Sequence, residues 1–375
     1  MNRSVRLAVA AVAAAVATTL VLPAGTAAAG VTPSGAGRTA GATRPEADRP
    51  AGAGVEVTVA GDGTGDYVTV QAAIDAVPTG NPGRVTIRIA PGVYRGPVSV
   101  PADKPYLTLR GQGSGPSDVV ITDDRASGTP KPGGGTYGTS GSASVTIDGR
   151  DFTARNLTFA NSFDEAAHPE ITNRQAVAVL TRADRLFFDR VRFLGNQDTL
   201  YVNSPDVATP ARAYFRGCYV EGDVDFIFGR GTAVFDRCEI RSLDRGSDTN
   251  NGYVTAASTT DTNPYGFLFV HCALTGDAPA KTVYLGRPWH PSGDPHAIGQ
   301  VVFRDSWLGA HVKDEPWTDM SGYSWRDARF SEYRTVGPGA AAGPQRPRLT
   351  GEQARAYTPR AYLVGADGWR PDREG

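Results

Sequence analysis

From Val55 the chain alternates apolar and polar residues in short runs. VEVTVA reads as a strand, and GDYVTVQAAIDAVP predicts a short amphipathic helix that starts near Asp66 and is stopped by Pro78. Such a helix suits the open end of a sheet that would otherwise expose its edge. The period-two pattern then resumes in VTIRIAPGVYRGPVSV, YLTLRGQG, VVITDD, SVTIDGRDFTARNLTFANS and AVAVLTRADRLFFDRVRFLGN. Each run is interrupted every few positions by Gly, Asp, Asn or Pro, and no long helical period separates them. The pattern predicts an all-β fold and argues against a doubly wound α/β sheet.

The later runs share a motif. FFDRVRFLG, YFRGCYVEG, VFDRCEIRS, FLFVHCALTG and VVFRDSWLG each carry an aromatic residue followed by an anchor, at Val191, Cys218, Cys238, Cys272 and Ser306, spaced 27, 20, 34 and 34 residues apart. Coils with loops of variable length produce such spacing, which predicts a parallel β-helix whose turns bury their apolar faces only against each other. A β-sandwich is the alternative the pattern leaves open. In the helical register the three cysteines occupy one column about 4.8 Å apart, within the Cα range of a disulfide. The expected bridge is Cys218 to Cys238, leaving Cys272 free and buried.

Composition fits many turns, with 45 glycines and 27 prolines, and 40% hydrophobic residues suffice for a sizeable core. The net charge is −1 and no basic stripe marks a nucleic-acid footprint. The N-terminus reads as a secretory signal peptide over 1–29. It has a basic start at Arg3 and Arg6, an apolar Leu7 to Leu22 and a small-residue Ala27-Ala28-Ala29 site, and no other apolar run is long enough to span a membrane. Residues 30–54 have almost nothing to bury and read as a disordered linker. The expected catalytic domain covers 55–345, and 346–375 form a C-terminal tail packed on the coils, with a short helix signalled by the capping-box spacing of Thr350 and Gln353. The chain is expected to be secreted and monomeric.

Two aspartates stand out. Asp198 in GNQDTLYV and Asp225 in GDVDFIFG lie in apolar surroundings where a carboxylate must be protonated, paired or hydrogen-bonded. Asp198 follows Val191 by seven residues and Asp225 follows Cys218 by seven, while Gly195 and Gly222 share an offset of four. The repeat therefore stacks the two carboxylates on neighbouring coils. Both can be ionised only beside a cation. That cation could be a metal or an arginine, and YLGRPWHP offers Arg287, with Trp289 on the same side of an extended strand. Gln175 and Gln197 carry amides able to donate to a developing oxyanion. No G-x-S-x-G or H-E-x-x-H is present, so neither a serine hydrolase nor a zinc site is supported.

NRQAVAVL, GNQDTLYV, DFIFGRG and YLGRPW, in this order, resemble the signature segments of the pectin methylesterases, the aspartyl esterases of carbohydrate esterase family 8. GDYVTVQAAIDAVP and FSEYRTVGPGA extend the resemblance across roughly residues 55 to 370. It implies a right-handed parallel β-helix acting without a cofactor or metal on methyl-esterified polygalacturonan. Asp225, kept ionised by Arg287, would be the nucleophile and Asp198 the acid and base, with Gln175 and Gln197 forming the oxyanion site. Trp289, Phe228, Tyr201 and Thr139 would contact substrate. One departure is Gly96 in GVYRG, where the family usually has glutamate. A calcium-dependent pectate lyase on the same scaffold, and a related esterase or carbohydrate-binding protein without pectin activity, are the alternatives.

Overall fold

A computed structural model describes residues 54–373, so the signal segment and all of the linker except Gly54 lie outside the described residues. The paired strands are parallel, and successive strands of each ladder come from successive turns of one coil. The chain is a parallel β-helix with three faces. One face is a ladder of ten strands from Val55–Val59 to Arg329–Tyr333. A second includes Tyr219–Gly222, Glu239–Ser242, Ala273–Gly276 and Trp307–Leu308. The third is a separate seven-stranded sheet running from Val98–Val100 to Val283–Pro288.

A single bend joins the first two faces. Asn156, Arg190, Gly217, Arg237, His271, Asp305 and Arg334 all have φ between 48° and 58° at the same point of successive coils. This left-handed kink turns the chain without a loop. The next residue in each coil points inward, forming the column Leu157, Val191, Cys218, Cys238, Cys272 and Ser306, all buried. Here the side chain of one coil serves the backbone of its neighbour, since Cys218 N–H donates to Cys238 Sγ at 3.4 Å and Cys272 N–H to Ser306 Oγ at 3.0 Å.

The cysteines thus share a column, but the expected Cys218–Cys238 bridge is absent and all three thiols are free and buried. Parallel, in-register neighbours project their Cβ atoms in one direction at the ladder spacing of about 4.8 Å, wider than the roughly 3.8 Å a disulfide needs. Each thiol instead donates to a carbonyl: Cys218 to Phe188 and Cys238 to Phe215, both at 3.4 Å, and Cys272 to Phe235 at 3.2 Å.

Inward phenylalanines run the length of the core. Phe188, Phe215, Phe235, Phe269 and Phe303 stack with centroids 4.4 to 4.7 Å apart and nearly parallel rings. The next residue in that register is Glu332, fully buried and paired with the equally buried Arg346 at 2.8 Å. Arg346 also donates to the carbonyls of Gly339 and Lys313, and Thr335 donates to Glu332. A satisfied ion pair therefore closes the C-terminal end of the apolar column.

At the other end the helix spans Val70–Asp75, with Val70, Ala73 and Ile74 buried in the core. It begins at Thr69, whose hydroxyl accepts from Ala72 N–H, and not near Asp66. The Asp66 carboxylate is committed to the backbone N–H and hydroxyl of Thr58. In the tail, Thr350 and Gln353 exchange the reciprocal bonds of a capping box ahead of a single 3₁₀ turn, Gln353–Ala356, and an α-helical turn follows at Pro359–Leu363. Tyr362 and Leu363 pack against Phe187, Tyr214, Val234 and Leu268 on the outside of the ten-stranded ladder.

Candidate active site

The site is built on the seven-stranded face. Leu200 pairs with Ile227 and Tyr201 with Phe228, which puts Asp198 in register with Asp225, and Asp198 N–H donates to Val224 C=O at 3.0 Å. Both aspartates are buried and both have left-handed backbones, φ 67° and 51°. The approach of the two coils leaves no room for a side chain at Gly222, where a Cβ would fall 2.3 Å from that of Phe226 and 2.6 Å from Asn196 C=O. On the other side of Asp225 the register slips: Val224 faces Tyr253 but Ile227 faces Thr255, so three steps oppose two. Asp225 lies in this bulge, a device that re-aims a side chain out of a regular strand.

Arg287, two coils further on, receives that side chain. Its Nε donates to one carboxylate oxygen at 2.8 Å and its Nη2 to the other at 2.6 Å, a bidentate pair. The guanidinium lies 3.7 Å from the centroid of the Tyr253 ring, which is stacked in turn on Tyr284. Arg287 is thereby held flat between a carboxylate and an aromatic face.

The two carboxyls experience different environments. Burial raises the pKa of Asp225, but both hydrogen bonds from Arg287 and its charge act against that rise. Asp198 is pushed well above the ordinary carboxylate range, first by burial and then by the Asp225 charge, with Arg287 opposing and Asp223 adding to the rise. Among the described residues the Asp198 carboxyl makes no hydrogen bond or ion pair. Both acids are thus raised, but Arg287 opposes the rise at Asp225 through hydrogen bonds as well as charge and at Asp198 through charge alone, which separates the two.

Gln175 and Gln197 lie on adjacent coils, linked by the Ala176 N–H to the Gln197 carbonyl at 3.1 Å, and both are half-buried. The side-chain oxygen of Gln175 is buried without a partner among the described residues. Tyr201 and Phe228 stack with centroids 4.1 Å apart, and Trp289 meets both edge-on at 6.0 and 5.6 Å. Together they form an aromatic platform beside the acidic pair on the outer surface of the same sheet. Thr139 lies in a single helical turn, Gly138–Gly141, whose Gly138 N–H donates to Ser127 C=O while Ser127 N–H donates to Gln175 C=O. Among the described residues its side chain makes no hydrogen bond to the acidic pair. Gly96 is remote from the pair, at φ 104° in a turn with open space around it.

The sequence profile of the pectinesterases matches residues 56–366. The chain belongs to the pectinesterase family. It is 37% identical to pectinesterase 31 of Arabidopsis thaliana over 300 residues, 78% of this chain and 86% of that protein. Its fold superposes on the pectin methylesterase of Erwinia chrysanthemi with a TM-score of 0.77 at 35% identity, covering 84% of this chain and 98% of that one. A pectin methylesterase solved in complex with a hexasaccharide gives a TM-score of 0.76 at 34% identity, with coverage of 84% and 98%.

Within this pectinesterase two residues of the site escaped sequence reasoning. Tyr253 supports Arg287, and its signal was the alternating GYVTAA strand one coil beyond Asp225. Asp223 is buried, accepts from Val224 N–H and faces Arg245 at 3.4 Å, and burial is the main cause of its raised pKa. It is the other acid of the DVD triplet and adds negative charge next to the catalytic candidates.

Proposed function

We propose that the protein is a secreted pectin methylesterase that hydrolyses the C6 methyl esters of polygalacturonan to carboxylate and methanol. An oxygen of Asp225 attacks the ester carbonyl carbon, and the resulting oxyanion accepts hydrogen bonds from the Gln175 and Gln197 amides. Collapse breaks the bond to methoxide, and Asp198 delivers its proton to form methanol. The sugar is then held on Asp225 as a mixed anhydride. Asp198, now a carboxylate, takes a proton from water as that water attacks the sugar carbonyl, releasing the sugar acid and restoring Asp225 and protonated Asp198. Trp289, half-buried and braced edge-on by the buried Tyr201 and Phe228, offers a stacking surface for a neighbouring sugar ring.

The observation that carries the reading is the bidentate Arg287–Asp225 pair beside an unpaired buried Asp198. It supplies one ionised nucleophile and one acid from two like residues. The same pair disfavours calcium-dependent lyase chemistry, because both Asp225 oxygens already accept from a cation that repels a divalent ion. Methanol release from methylated pectin tests the proposal. Wild type releases methanol without forming an ultraviolet-absorbing unsaturated product, and Asp225→Asn is expected to lose at least about a thousandfold in rate. Near-normal turnover by that variant would refute the nucleophile assignment. Export is tested by sequencing the N-terminus of the mature chain, expected near Gly30.

A further inference from the structure

A second charged feature lies on the ten-stranded face, away from the acidic pair. Arg88, Arg110 and Arg155 occupy successive rungs of one column, paired in register through the strands Val85–Ile89, Leu107–Gly111 and Thr153–Asn161. On the next coil that register is taken by Asp189, which pairs with Arg216 at 3.0 Å, and Arg190, one residue further at the left-handed bend, flanks the row. These arginines and the loop Gly111–Ser114 line a groove of about 560 Å³. The Asn156 side chain clamps that loop by donating to the carbonyls of Gly111 and Gly113 at 3.3 and 3.0 Å. Arg88 is paired with Glu56 at 2.8 Å, and Arg155 lies over the Phe187 ring. Arg110 and Arg190 are exposed and form no ion pair among the described residues.

We propose that this groove is a non-catalytic binding site for a polyuronate chain that has lost its methyl esters, an inference that rests on the proposed esterase function. Coils repeat every 4.8 Å or so, so the column presents guanidinium groups in a line. A linear polymer with one carboxylate per sugar meets such a line repeatedly, and guanidinium binds carboxylate in a planar, two-pronged geometry. The groove has no aromatic residue in its lining, so it lacks the stacking surface that single-stranded nucleic acid uses. A methylated chain is neutral and gains nothing there. The site would therefore select the product of the reaction over its substrate and keep the enzyme on stretches already worked.

The test measures equilibrium binding of fluorescently labelled, fully de-esterified oligogalacturonate to the mature chain. Wild type is compared with Arg110→Glu/Arg190→Glu and with Arg110→Lys/Arg190→Lys, and methanol release from a short methylated oligogalacturonide is followed in the same samples. Binding is expected to weaken by about thirtyfold in the glutamate variant, for two lost attractions and two new repulsions, and by only about threefold in the lysine variant, which keeps the charge but loses the two-pronged contact. Methanol release from the short substrate is expected to be unchanged in both. Binding that is insensitive to the charge reversal, or a single-stranded oligonucleotide of equal charge binding more tightly than the uronate, would overturn the proposal. Failure of the esterase reading would appear separately, as absent methanol release from wild type.

Discussion

Replacing Asp198 with asparagine should abolish turnover and yet stabilise the fold, increasingly as pH rises. The Asp198 carboxyl is buried and has no hydrogen bond or ion pair among the described residues, so an isosteric amide forfeits no contact. Its folded pKa lies well above 3.8, through burial first and the Asp225 charge second. Between 3.8 and the raised value the folded chain holds a proton that the unfolded chain releases. Wild-type stability from this group is complete below 3.8 and is lost as pH rises toward the folded pKa, at about 1.4 kcal/mol per pH unit. Asparagine does not titrate, so the variant escapes that loss. For a folded unit of about 320 residues the slope corresponds to roughly 2 °C of melting temperature per pH unit. Melting curves from pH 3.5 to 8 should start together and diverge in favour of Asp198→Asn, levelling off above the folded pKa, while methanol release by the variant falls to background. A melting-temperature difference that does not change with pH would show that Asp198 titrates normally, and would remove the acid from the proposed mechanism.

Arg287→Lys keeps a charge but loses the two-pronged contact, so Asp225 should protonate more readily. The acid limb of the kcat/KM profile should shift to higher pH with a lower plateau, and an unmoved limb would mean that Arg287 does not hold Asp225 ionised. Arg346→Met leaves Glu332 buried and alone, and denaturant unfolding should show a loss of about 3–5 kcal/mol with kcat nearly intact in the protein that remains folded. Thiol titration should find no reactive cysteine in the native chain and three after denaturation; a count of one would restore the Cys218–Cys238 bridge. Trp289→Ala should raise KM for pectin by about tenfold, the order of one aromatic contact, with less effect on kcat.

The coil register was legible because a parallel β-helix repeats its inward residues, and Val191, Cys218, Cys238, Cys272 and Ser306 keep that place even where loops change the spacing from 20 to 34. Counting from those anchors was enough to set Asp198 opposite Asp225. It did not extend to the contacts of the cysteines, because a Cα separation within the disulfide range says nothing of the Cβ separation, which parallel in-register neighbours keep at the ladder spacing. Nor could it find the bulge after Val224, since an added residue in a strand leaves the alternation looking intact and appears only in the pairing of Ile227 with Thr255. Tyr253 was hidden because its contact with Arg287 is diagonal: in register Tyr253 faces Tyr284 and Arg287 faces Ala256, so counting rungs does not join them. Glu332 and Arg346 are joined by an irregular segment, where no periodicity foretells that the two charges meet inside the core.

The backbone at the acidic pair decides which substitutions probe chemistry cleanly. The coils from Asn156 to Arg334 share a left-handed kink, but a second left-handed residue eight positions later occurs on two neighbouring coils, at Asp198 after Arg190 and at Asp225 after Gly217. Residues other than glycine, asparagine and aspartate hold that conformation at a cost of about 1–3 kcal/mol. Aspartate reconciles the kink with a carboxylate, and the flanking ladders of Leu200–Val202 and Val224–Gly229 keep it in place. Asparagine accepts the same φ and the same volume, so neither Asp198→Asn nor Asp225→Asn adds backbone strain, although Asp225→Asn also gives up one of the two hydrogen bonds accepted from Arg287. Alanine at either position would add backbone strain to the lost function, and its activity would report both together. A further loss of stability in Asp198→Ala relative to Asp198→Asn, constant across pH, measures that strain separately from the titration.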